Sequence, residues 1–139
     1  MLVGIRAKRI IGAAVVAGAA VATTIGTGAA PAMAASGGGC SPWSVSVKGV
    51  SIEACINAGG LTVNADGWER GSSSYCYVQI SLLNSNYQVV TSSGVQNCSA
   101  GHHNGVSQVT FGTYHSEVCV YSTSSSANAC RISPAISNP

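Results

Sequence analysis

Three histidines, four carboxylates and a surplus of serines are the side chains in this sequence that can hold reaction chemistry. His102-His103, with His115 further on, is the first place to look, because imidazoles ligate metals and carry protons. Metal-binding pairs need i, i+2 or i, i+4 spacing and a third ligand. Two adjacent histidines between Gly101 and Asn104-Gly105 read instead as a solvated polar loop. Twenty-one serines lie between residues 36 and 139, yet none sits in a Gly-x-Ser-x-Gly elbow. Any triad would have to combine an arbitrary serine with His102, His103 or His115 and Asp66, and nothing in the order singles one out. Paired carboxylates for glycoside chemistry would come from Glu53, Asp66, Glu69 and Glu117. Asp66 and Glu69 are the close pair, but Asp66-Gly67 is a turn signature, and carboxylates that bracket a turn are solvated. The reading is therefore no catalytic residue, no metal and no cofactor.

Six cysteines, Cys40, Cys55, Cys76, Cys98, Cys119 and Cys130, stand in the same region. The nearest two are eleven residues apart, unlike the close pairs of zinc sites. An even count in a small domain reads as three disulfides and an oxidising compartment. Fifteen pairings are possible for six cysteines. Hairpin register favours 40–55, 76–98 and 119–130. Cys119 faces Cys130 if the turn centres on Ser124-Ser125. Cys40 and Cys55 come within two residues of register around Lys48-Gly49. Cys76 and Cys98 flank Asn84-Ser85-Asn86 and need a bulge. The rival is an inter-sheet bridge such as Cys76 to Cys119.

The start of the chain supplies the context for those bridges. Arg6, Lys8 and Arg9 precede an uncharged apolar stretch from Ile10 to Ile25, followed by Ala32-Met33-Ala34. That order is the one a secretory signal has. The apolar stretch is shorter than the about 20 strongly apolar residues of a spanning helix. Residues 1–35 are thus expected to be removed after Ala34 or Ala35, leaving a secreted, extracellular protein with no membrane insertion. The remainder keeps three cations, Lys48, Arg70 and Arg131, against four carboxylates, a net charge of −1. It has no basic stripe for nucleic acid.

The elements that must position all these residues are strands. Short runs such as Val50–Ile56, Leu61–Ala65, Tyr75–Leu83, Val106–Phe111 and Glu117–Tyr121 alternate or cluster β-formers, and turn residues recur every 8 to 12 positions. No helical period is sustained. The fold class is all-β: a small disulfide-stapled β-sandwich, immunoglobulin-like or a small barrel, of seven to eight short strands. Residues 36–42 read as a flexible leader, 43–133 as the β domain and 134–139 as a loose tail.

Binding surfaces have the better candidates. Asp66-Gly67-Trp68-Glu69-Arg70-Gly71 places Trp68, Glu69 and Arg70 on one turn-containing loop, and Trp and Arg are enriched at interface hot spots. Trp68 either stands exposed there or packs back onto the core. Arg131, beside Cys130, either fills a partner's pocket or is an edge-strand arginine. Asn97-Cys98-Ser99 matches a glycosylation sequon. The leading reading is a non-enzymatic protein that docks another extracellular protein.

The exported signal, the leader Ser36-Gly37-Gly38-Gly39 and the single small β domain together resemble the secreted adaptor proteins of actinomycete antibacterial umbrella-toxin particles. That resemblance implies an adaptor joining a lectin-bearing subunit to a toxin subunit. It carries over no site residue. Trp68-Glu69-Arg70 is also similar to the Trp-Arg-Tyr loop of small actinomycete α-amylase inhibitors, in a different order, which implies an inhibitor of a secreted hydrolase. The Ser/Gly-rich composition is similar to enediyne-carrying apoproteins, which implies a carrier of a carbohydrate or other small ligand.

Overall fold

The computed structural model describes residues 35–44 and 47–139. The expected signal peptide lies outside these residues, apart from Ala35 at its boundary. Eleven strands follow one another: β1 (Ser36–Gly37), β2 (Gly39–Cys40), β3 (Ser51–Gly59), β4 (Thr62–Arg70), β5 (Ser73–Asn84), β6 (Val89–Ser92), β7 (Gln96–Cys98), β8 (Gly101–Val109), β9 (Gly112–Ser122), β10 (Asn128–Ile132) and β11 (Ile136–Asn138). They form two antiparallel sheets. One runs β1-β11-β9-β5-β6, with β10 also on β9 and β7 also on β5; the other runs β2-β3-β4-β8.

Period-two patterning makes the sandwich. Ile52, Ala54 and Ile56 of β3, with Val63 and Ala65 of β4, face Cys76, Val78, Ile80 and Leu82 of β5 and Val118 and Val120 of β9 in one buried cluster. The fold class is the small disulfide-stapled sandwich that the patterning implies, with eleven strands rather than seven or eight and core strands of nine to twelve residues.

The bridges are Cys40–Cys55, Cys76–Cys98 and Cys119–Cys130. Cys40 lies opposite Cys55, and Cys119 opposite Cys130, in their ladders. The Cys76–Cys98 bridge spans a register shift between Ser73 and Tyr77, the bulge that its spacing requires. Each bridge stays within one sheet. Apolar contact, backbone crossings and hydrogen bonds such as Ser116 Oγ to the Asp66 carbonyl hold the two sheets together.

Both ends of the domain correct the sequence reading. Residues 36–42 are not a loose leader: β1 pairs with β11, and β2 pairs with β3. Gly38 alone carries the chain from one sheet to the other. Gly37, Gly38 and Gly39 all have positive φ. A Cβ on Gly37 would sit 2.6 Å from the Ala135 carbonyl oxygen, and one on Gly38 would sit 2.8 Å from that of Ile56. A glycine run that reads as flexibility is here a strap only glycine can form. Residues 134–139 are not a loose tail either. Ile136 and Asn138 are buried, β11 lies on β9, and Asn138 Nδ2 donates to the Thr110 carbonyl. The packed domain therefore extends beyond 43–133 at both ends.

Two local expectations also change. Asp66-Gly67 is not a turn: it lies inside β4, where the register against β8 shifts between Ala65 and Gly67. Gly105 makes that bulge possible, because a Cβ there would lie 1.5 Å from the Ala65 carbonyl oxygen. The polar loop expected around His102-His103 is strand from Gly101 onward. Trp43 and Ser44 are outside any strand, and Val47 forms an isolated bridge with Val50 around the Lys48-Gly49 turn.

Candidate docking face

Because β4 continues through Asp66-Gly67, its alternation sorts the candidate residues onto two faces. Asn64, Asp66, Trp68 and Arg70 point outward, while Ala65, Gly67 and Glu69 point into the sandwich. Trp68 is 44% exposed, so it is a surface residue and not a cover for the core. Arg70 places its guanidinium 3.9 Å from the centre of the Trp43 ring, a stacked cation–π contact that fixes a long side chain. Trp68 meets the His102 ring edge-on at 5.0 Å from its cross-strand position on β8.

A polar row continues from this aromatic group. His102 Nε2 lies 3.4 Å from Asp66 Oδ1. Asn57 Nδ2 donates to Asp66 Oδ2 at 3.3 Å, Asn64 Nδ2 donates to Asn57 Oδ1 at 2.9 Å, and Ser107 Oγ donates to Asn64 Oδ1 at 2.6 Å. These bonds hold planar groups in set orientations across three strands. The outer face of the four-stranded sheet is thus a preorganised surface, with Trp43, Arg70 and Trp68 at one end and amides at the other.

Glu69 does not belong to it, which corrects its place among the surface candidates. It is 3% exposed and faces inward, where its Oε2 lies 2.7 Å from Nε2 of His103, itself 5% exposed. His103 Nε2 is also 2.9 Å from the Ser99 carbonyl oxygen, and its Nδ1 is 3.4 Å from Gln96 Oε1. Burial pushes the Glu69 carboxyl above its ordinary value, while His103 and the Ser99 backbone oppose that shift. His103 is therefore not on a solvated loop, and both its ring nitrogens have partners inside the fold.

Arg131 lies apart. It sits on β10 at the flank of the larger sheet and donates from one guanidinium nitrogen to the Trp43 carbonyl at 3.4 Å, the contact of an edge-strand arginine that tethers the chain before β3. His115 is separate again, stacked on Tyr87 and bonded to the Ser133 carbonyl. The three histidines thus occupy three different environments. Among the described residues, the triplets of potential ligands that converge each contain both sulfurs of a disulfide, which are not thiolate ligands. No serine hydroxyl bonds to His102 or His103 among the described residues. Asn97 is exposed on β7, beside an open polar cleft of about 540 Å³ lined by Ser72, Ser73, Ser74 and Cys98.

No family model, no curated protein and no solved structure matches this chain.

Three members of the face, Trp43, Asp66 and His102, were not binding candidates in the sequence. Trp43 joins through Arg70, a contact made across the fold. Asp66 and His102 join because a bulge replaces the expected turn. The detectable signal was the alternation of large or polar residues at 64, 66, 68 and 70, which continues straight through Asp66-Gly67.

Proposed function

We propose that this is a secreted, non-enzymatic binding protein that docks another extracellular protein through the outer face of its four-stranded sheet, with Trp68 and Arg70 as anchors. The observation that carries the reading is Arg70 stacked on Trp43 one pleat from exposed Trp68. Exposed aromatic and arginine side chains already fixed in place lose little entropy on association. Three disulfides support an oxidising compartment, and no helix among the described residues is long and apolar enough to cross a membrane. The finer assignment, an adaptor subunit of an antibacterial toxin complex of an actinomycete, rests on the resemblance of chain organisation. The inhibitor alternative loses its loop, since Trp68-Glu69-Arg70 is strand with Glu69 turned inward.

The experiment is affinity capture. Mature protein tagged at its C-terminus is recovered from the culture supernatant of its own host, beside W68A and R70A variants. Stoichiometric recovery of a larger secreted protein by the wild type, lost with W68A, is the expected result. Equal recovery with all three removes the face from the reading, and recovery of a single secreted hydrolase transfers it to inhibition.

A further inference from the structure

Every sheet has edges, and an edge strand presents unpaired N–H and C=O groups that can pair with another chain. In the larger sheet the flanking strands are short: β1 has two residues, β10 five, β6 four and β7 three. In the smaller sheet one edge is β2, two residues long and tied down by Cys40–Cys55. The other is β8, with nine residues, neither a proline nor a Lys, Arg, Asp or Glu.

The first half of β8 is protected. The bulge against β4 twists it, and Gln96 Nε2 donates to the Asn104 carbonyl from outside. The second half is not. Val106 to Val109 run in regular register with Ala65 to Thr62, and among the described residues no side chain caps their backbone. The exposed apolar residues gather at this end. Val109 is 66% exposed, Phe111 63% and Leu61 51%, and the Thr110 N–H donates to the Leu61 carbonyl, which holds the two turns together. A bare edge and an apolar patch therefore coincide.

We propose that the Val106–Val109 edge pairs with the same edge of a second copy of this chain. This edge can pair with itself. In an antiparallel ladder opposite residues share a face, so the two-fold passes through Ser107 or Gln108. Either register brings together only uncharged side chains, so two copies meet without like-charge repulsion. On β4 the nearest carboxylate, Asp66, sits at the bulge itself, and Glu69 lies beyond it. Pairing extends the four-stranded sheet to eight strands and buries part of the apolar cluster. It also sets the two Trp68 faces side by side on the same surface, giving a bivalent docking protein. The pairing does not depend on the docking face having a partner.

The test is sedimentation velocity of the mature wild type over a concentration series, beside V109K and V95K. Val109 and Val95 are both largely exposed, so each variant keeps the fold, which its Tm verifies. The expected result is a monomer–dimer equilibrium whose midpoint V109K raises by about tenfold or more, while V95K matches the wild type. A wild type that stays monomeric throughout overturns the inference. So does a V109K that dimerises like the wild type, which would place the contact elsewhere.

Discussion

Glu69 Oε2 lies 2.7 Å from His103 Nε2, directly behind the exposed pair Trp68 and His102. The same two strands thus present an aromatic contact to solvent and a buried carboxylate–imidazole contact to the interior. The buried pair links the end of β4 to the strand that enters from the other sheet.

Removing one partner of this pair leaves the other uncompensated. His103→Ala is expected to cost about 3 kcal/mol in urea unfolding, because a buried carboxylate loses its partner. Glu69→Gln keeps a hydrogen-bonding group of the same shape and is expected to cost much less. Equal losses would mean that shape, not charge, holds the site.

The pH dependence has a definite sign. The folded-state pKa of Glu69 is raised above its unfolded value near 4.5, so its contribution favours the fold below that value and is lost as pH rises through the folded value. Glutamine behaves as the neutral acid at every pH. The stability of Glu69→Gln relative to wild type is therefore expected to improve as pH rises from 4 upward. Tm measured across pH for both proteins checks this. A gap that moves the other way means that His103 more than offsets the desolvation.

Each disulfide closes a loop, and the loops differ in length. Sequence separations of 11, 15 and 22 for Cys119–Cys130, Cys40–Cys55 and Cys76–Cys98 put each bridge near about 3 kcal/mol, rising slightly in that order. Paired Cys→Ala variants are expected to unfold at lower urea in the same sequence. A much larger loss for Cys40–Cys55 would show that the bridge also secures the glycine strap.

Within the strap, the three glycines are expected to differ. Gly37→Ala and Gly38→Ala meet carbonyl oxygens and carry a left-handed φ, whereas a Cβ on Gly39 meets nothing within 4 Å. Gly39→Ala is therefore expected to cost about 1 to 2 kcal/mol, and the other two more. Hydrogen exchange at Gly38, whose N–H bonds to Ala135, reads the release of the strap directly.

On the docking face, Trp68→Ala and Arg70→Ala are each expected to weaken partner capture by about 2 kcal/mol or more with little change in Tm. Arg131→Ala, which removes a tether to the Trp43 carbonyl, is expected to move stability more than capture. The reverse pattern would shift the docking surface to β10.

Much of this protein follows from its sequence alone. Alternation of apolar residues sets the all-β class, because a strand buries every second side chain. The even spacing of turns makes hairpins, and hairpin register brings Cys119 to Cys130 and Cys40 to Cys55. Tertiary structure decided what local signals cannot. Ser36-Gly37-Gly38-Gly39 looks mobile until Ala135 and Ile56 are in place, and only then do its glycines become obligatory. Ile136 and Asn138 look like a tail until β9 offers them an edge. Asp66-Gly67 carries the chemistry of a turn, but β8 pairs on both sides of it and absorbs the irregularity as a bulge. That one difference turns Glu69 inward and leaves Trp68 exposed. It also aligns Asp66 with His102, which is why the docking face emerges from pairing between strands far apart in the chain.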